Sequence, residues 1–188
     1  RTNIARLLAG PTLKVVPITV HVPLASVPEL LTIDMIVGRT RAAAKGMTRN
    51  FGIENPRIAM AGLNPHAGEN GTIGDEEERI SAPAIALLRE EGLDIKGPLP
   101  ADSLFHEEAR KHYDVALCQY HDQALIPLKA LHFFDGVNMT LGLPIVRTSP
   151  DHGTAFDIAG RDIADPRSMM SAIAMAGAAW DHRQQIDG

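Results

Sequence analysis

The chain has 188 residues, 45% of them hydrophobic, enough for one sizeable core or two small ones. Its formal net charge of −5, with no Lys/Arg block, argues against a nucleic-acid surface, so an anionic ligand would need a local cluster of basic groups. A single cysteine, Cys118, excludes an internal disulfide and agrees with a reducing, cytoplasmic compartment, and no apolar run is long enough to span a bilayer. The first residues lack the apolar core of a signal peptide and do not start with Met, so we expect the sequence to begin inside a longer protein.

Short β-branched runs alternate with longer helical ones, which predicts an α/β fold. Lys14 to His21 reads as a strand ending in a histidine. Pro28 to about Asn50 reads as a helix opened by Ser26 or Pro28. Arg57 to Ala61 reads as a buried strand. Leu63 to Asp75 is too rich in Gly, Asn and Pro to be regular, so it is a loop. Glu76 to Glu91 reads as helical with an interruption near Pro83. Asp102 to Lys111 reads as a short helix with Asp102 as N-cap. Val115 to Gln119 is a strand, followed by Tyr120-His121-Asp122-Gln123 and a helix to about Leu131. Val137 to Leu141 and Ile145 to Thr148 are short strands, Ala155 to Ala159 starts a turn of helix, and Ser168 to Trp180 closes the chain as a helix.

His21, His66 and His121 each follow a predicted strand. In open α/β sheets ligands bind beyond the carboxyl ends of strands, so three such histidines can converge. Neutral imidazole is a common ligand for zinc and related divalent ions, although by spacing alone a loop histidine is more often a surface or capping residue. Asn64-Pro65-His66-Ala67-Gly68-Glu69 improves the case, because glycine permits close backbone approach. Asp122 and Gln123 are candidate partners for the second ring nitrogen of His121. Among the cations, Lys129 and Arg147 interrupt apolar runs, where a lone charge usually has a partner. With the Asn138 amide they suit a phosphate or carboxylate. The segment His152 to Gly160 is not a GxGxxG turn, so the Rossmann fingerprint is absent.

His152 to Pro166 (HGTAFDIAGRDIADP) resembles the cofactor-adenine loop of the isocitrate and isopropylmalate dehydrogenases. GLNPHAGENG (Gly62 to Gly71), GPLPADSLF (Gly97 to Phe105), YDVALCQYHDQALIPLK (Tyr113 to Lys129) and GVNMTLGLPIVRTSPDHGTAFDIAG (Gly136 to Gly160) resemble the 4-hydroxythreonine-4-phosphate dehydrogenase family of pyridoxal 5′-phosphate synthesis. That resemblance implies an isocitrate/isopropylmalate dehydrogenase-like two-domain α/β fold, present here mainly as the second domain. Residues 1–159 would form most of a substrate-, metal- and dimer-forming domain, and residues 160–188 would return toward a first domain. It also implies a homodimer with shared active sites, one divalent ion per site (zinc, magnesium or cobalt) and NAD or NADP. His21, His66 and His121 match the metal ligands and Lys129, Asn138 and Arg147 the substrate-binding residues. His152, Gly153, Thr154, Ala155 and Asp157 fall in the cofactor loop. Asp102 or Asp122 is the expected proton relay. The implied reaction is NAD-dependent oxidation, then decarboxylation, of 4-phosphooxy-L-threonine to 3-amino-2-oxopropyl phosphate. The alternatives are a dehydrogenase of D-threonate or D-erythronate 4-phosphate and a non-catalytic metal- or phosphate-binding fragment.

Overall fold

The computed structural model describes residues 4–187. Its centre is a seven-stranded sheet: β1 (Ala5–Ala9), β2 (Lys14–Pro17), β3 (Ile58–Ala61), β4 (Ile95–Leu99), β5 (Val115–Cys118), β6 (Val137–Leu141) and β7 (Thr148–Pro150). The order is β4-β3-β5-β2-β1-β6-β7. The first four strands in that order run parallel, while β1, β6 and β7 join by antiparallel pairing. The helices are α1 (Val27–Leu30), α2 (Ile33–Phe51), α3 (Ala82–Glu90), α4 (Glu107–Arg110), α5 (His121–Leu131) and α6 (Arg167–Asp187). Mixed α/β character therefore stands as expected, and no helix of the described residues is long and apolar enough to cross a membrane.

Side chains alternate between the two faces of each strand. Leu7, Val16, Met60, Leu117, Met139 and Leu141 point into a core closed by α2, α3 and Ala179 of α6. Leu8, Val15, Ala59, Ala116 and Cys118 face Ala124 and Leu128 of α5, with Leu104 and Tyr113. The helix α5 thus covers the parallel half of that second face and leaves the row formed by β1, β6 and β7 partly open. Burial pushes the Cys118 thiol well above its ordinary range, which makes it a packing residue and not a nucleophile.

Several elements differ from their sequence reading. The chain does not run as one helix from Pro28: Leu31 is extended and buried, and Thr32 restarts the helix by accepting a hydrogen bond from the Met35 amide (3.1 Å). Asp102 caps no helix; it sits in a 3-10 turn, Ala101–Ser103, and α4 is capped instead by His106 Nδ1. The interruption at Pro83 is a π-helical turn, Glu77–Ser81, running into α3. The strand expected at Ile145 to Thr148 is displaced to Thr148–Pro150. Both β1 and β4 lie where no strand was expected.

The parallel strands β3 and β5 are pinned at their start by Arg57 and Asp114. Arg57 donates from its amide (2.7 Å) and Nε (3.2 Å) to Asp114 Oδ2, and from Nη2 to Oδ1 (2.9 Å). Burial alone would raise the Asp114 carboxyl, but the Arg57 hydrogen bonds outweigh it and hold it below the usual carboxylate range. A depressed folded value stabilises the fold above the unfolded value of about 3.9 and loses that contribution as the pH falls through the lower folded value. Asp114→Asn should therefore destabilise the protein by about 1–2 kcal/mol at neutral pH. Urea unfolding should show the difference from wild type shrinking below about pH 4. A difference independent of pH would mean that packing, not charge, is lost.

Candidate functional site

The ends of β2, β5 and β3 lie side by side, and buried polar groups knit them together. Thr19 Oγ1 donates to the Gln119 carbonyl (2.8 Å), and Gln119 Nε2 donates to the Ala61 carbonyl (2.7 Å). Gln123 Nε2 donates to the Gly62 carbonyl (2.7 Å), while its Oε1 accepts from the Gln119 amide (2.7 Å). From these three ends the chain leads to His21, His121 and His66.

His21 and His121 face each other with ring centroids 5.6 Å apart. His121 Nδ1 lies 2.6 Å from Asp122 Oδ1. A carboxylate only accepts, so Nδ1 donates and Nε2 keeps its lone pair for another partner. Asp122, and not Gln123, is therefore the partner of the second ring nitrogen. An ion about 2.0–2.1 Å from one nitrogen of each ring would set the centroids about 5–6 Å apart at a tetrahedral angle, so this pair fits a divalent cation.

His66 does not join that pair within one chain. It lines a separate hollow with Glu69, Asn70, Glu77, Pro98 and Pro100. Among the described residues no three His, Cys, Asp or Glu side chains of the chain form a metal-sized group. The turn carrying His66 is unusual: His66, Ala67, Glu69 and Asn70 have φ of 53°, 53°, 44° and 54°, and Gly68 and Gly71 between and after them are also positive. Non-glycine residues in this region cost of order 1–2 kcal/mol each, so the surroundings must hold the turn in place. Asp102 is exposed in the 3-10 turn Ala101–Ser103, which packs against this turn.

A cleft of about 480 Å³ opens beside the histidine pair on the uncovered part of the sheet. It is lined by Arg6, His21, His121, Lys129, Asn138, Ser149, Asp151, His152 and Gly153 among others. Arg6 pairs with Thr140 and Leu8 with Asn138 across β1 and β6, which puts Arg6, Asn138 and Thr140 on this one face. The Arg6 guanidinium lies 3.5 Å from His21 Nε2, a long contact. Asn138 Oδ1 is buried with no hydrogen-bond partner, an acceptor that a ligand can satisfy. Lys129 Nζ donates to the Asp151 carbonyl (2.8 Å) and lies 3.4 Å from its carboxylate. Arg147 is exposed and donates to Thr140 Oγ1 (2.8 Å), so it borders the row without lining the cleft. In an acidic chain this concentration of cations and neutral donors suits an oxyanion.

A second cleft of about 620 Å³ adjoins the first and shares Lys129, Asp151, His152 and Gly153 with it. Its other walls include Phe133, Phe134, Thr154, Ala155, Ile158 and Gly160; Asp157 lies on the same turn outside the lining. The size and largely apolar lining are those of a small-molecule site. Sequence reasoning missed Arg6 and Asp151. Arg6 had a signal, a lone cation inside Ile4-Ala5-Arg6-Leu7-Leu8-Ala9, the same pattern that singled out Lys129; Asp151 had none.

Residues 1–176 match the model of the family described as pyridoxal phosphate biosynthetic protein PdxA. The chain belongs to this family. Among curated relatives, the 4-hydroxythreonine-4-phosphate dehydrogenase of Erythrobacter litoralis (strain HTCC2594) is 62% identical over 171 residues, covering 91% of this chain and 51% of that protein. The enzyme of the same name from Methylorubrum extorquens (strain PA1) is 61% identical over 165 residues, covering 88% and 47%. The crystal structure of 4-hydroxythreonine-4-phosphate dehydrogenase from Klebsiella pneumoniae superposes with a TM-score of 0.85 at 46% identity, covering 94% of this chain and 53% of that one. The chain thus spans about half the length of the relatives it matches, and the family's mixed α/β architecture is the one it adopts.

Proposed function

We propose that this chain is the metal- and substrate-binding part of an NAD-dependent dehydrogenase acting on 4-phosphooxy-L-threonine, in pyridoxal phosphate synthesis and in the cytoplasm. The observation that carries the reading is the facing His21–His121 pair at the mouth of a cation-lined cleft that shares a wall with a second cleft. Family membership agrees with it.

In this reading His21 and His121 hold a divalent ion (zinc, magnesium or cobalt), with Asp122 orienting the His121 ring. Bound there, the ion would polarise a substrate hydroxyl, and NAD or NADP in the second cleft would accept hydride, with loss of CO2 from the resulting β-keto acid. Lys129, Arg6 and the Asn138 amide grip and align the anionic ends of the substrate. Arg147 adds charge at the rim. His152, Gly153, Thr154 and Ala155 shape the cofactor wall, with Asp157 on the turn behind. Because His66 lies apart, it would complete the ion's ligands from the other copy in a homodimer, with Asp102 beside it as the candidate proton relay. In this reading each site takes His21 and His121 from one chain and His66 from the other.

The two-domain isocitrate dehydrogenase-like arrangement is part of the same proposal. The helix α6 packs on α2 and β7 through Ala172, Ala179 and Arg183, yet leaves Met169, Met170, Ile173 and Trp180 exposed. That outer face suits contact with the first domain of the full-length protein, so residues 160–188 serve both units.

The test is NADH formation by the full-length protein with a divalent metal, comparing 4-phosphooxy-L-threonine with D-threonate and D-erythronate 4-phosphates. The amino-acid phosphate should give the higher kcat/KM; turnover of the sugar-acid phosphates alone would overturn the assignment. Lys129→Ala should weaken substrate binding by about 1–2 kcal/mol and Arg147→Ala by less, since both groups are at least partly exposed and screened. NAD affinity should follow Lys129, which lines both clefts, and ignore Arg147.

A further inference from the structure

Glu77 is 3% exposed, yet its carboxylate is answered by amides and by no cation in the described structure. The Asn64 amide donates to Oε1 (2.7 Å) and Asn64 Nδ2 to Oε2 (2.9 Å); the second proton of that side-chain amide goes to Glu76 Oε2 (2.7 Å). The turn that follows Asn64 wraps tightly on the same carboxylate. A Cβ placed on Gly68 would stand 2.8 Å from Glu77 Oε2, and Gly68 itself has φ of 81°. The turn's own hydrogen bonds are of mixed length: Ile73 to Gly68 at 3.0 Å and Ala67 to Asn64 at 3.1 Å, but Glu69 to His66 at 3.3 Å and Thr72 to Glu69 at 3.4 Å, with Thr72 Oγ1 donating to the Glu69 carbonyl at 2.8 Å. The left-handed run from His66 to Gly71 therefore leans on contacts at its flanks, the Asn64 amide bond to Glu77 Oε1 (2.7 Å) among the shortest. Glu77 reaches Asn64 from the first residue of the π-helical turn, a feature that recurs at functional sites.

We propose that Glu77 is a positioning residue: it holds the 66–71 turn in its left-handed course and so fixes where His66 points. The consequence for metal binding rests on the reading of His66 as a ligand given above; the effect on the turn does not. Glu77→Gln keeps the volume but sets an NH2 group against one of the Asn64 donors. Asn64→Ala keeps the backbone bond and removes the side-chain bonds from Nδ2 to Glu77 and Glu76, should the first variant fold poorly.

The experiment is amide hydrogen exchange on metal-free, full-length protein, followed by titration with cobalt(II). In either variant the amides of residues 67–73 should exchange faster by about 10-fold, with those of β3 and β5 unchanged. Cobalt affinity should fall by about 10–100-fold with an altered visible spectrum, the range for loss of a supporting partner. Unchanged exchange in the turn, or an equal rise in the central strands, overturns the proposal. His66→Ala run beside them separates the two ideas. If it leaves cobalt binding intact, the ligand reading of His66 fails, while the exchange data still decide the role of Glu77.

Discussion

A full-length protein carrying His121→Ala is expected to lose more than about 100-fold in divalent-metal affinity, beyond the 10–100-fold typical of outer partners. His121 faces His21 across the proposed ion site, and its Nε2 is the nitrogen left free by Asp122. Asp122→Asn should show the smaller loss, about 10–100-fold, because it removes only the group that orients the ring. Cobalt titration followed by absorption measures both. The same variant tests assembly. Mixed with His66→Ala under subunit exchange, it should regain about a quarter of wild-type activity, since half the dimers are mixed and each has one intact site. No recovery after proven exchange would place all three histidines of a site in one chain, against the geometry described above.

Gly97→Ala is expected to destabilise the fold by about 2–5 kcal/mol, the sum of a backbone penalty and overpacking. Gly97 sits in β4 with φ of 139°, a region essentially reserved for glycine, and a Cβ there would meet the Met60 carbonyl oxygen at 2.6 Å. That oxygen belongs to β3, so relief requires β4 to move off the strand it pairs with. For a protein of this size the melting temperature should fall by roughly 5–15 °C. The exposed Lys96→Ala beside it should change stability by less than about 0.5 kcal/mol. Equal melting temperatures for the two variants would show that β4 yields without cost.

The α/β class, the buried strands β3, β5 and β6 and the helix α5 were legible because their apolar periodicity and turn residues agree. The strand β1 was not. ARLLA has no β-branched residue, and its extended form is imposed by pairing between β2 and β6, a tertiary demand that propensity does not carry. The strand β4, IKGPL, hid behind a glycine and a proline that usually mark loops. At the site, the three histidines were visible as residues after strands, but which two meet depends on how far each loop runs past the sheet. Glu77 looked like one of four successive acidic positions on a solvated helix start. Only the wide π-helical turn, invisible in the sequence, swings it inward.

The two outermost strands set how another copy can approach. An exposed sheet edge offers unpaired amides onto which a second chain can zip, the first step toward aggregation. Here one edge, β4, carries exposed Lys96 and then Pro98, which has no N–H to donate. The other, β7, is three residues long, ends at Pro150, and is crossed by α6, whose Ala172 carbonyl accepts from Thr148 Oγ1 (2.9 Å). Neither edge of the described sheet therefore offers a long ladder for another copy to extend. Backbone pairing with another copy is thereby disfavoured, and contact through side chains, where specificity is set by shape and charge, is favoured over indiscriminate zipping.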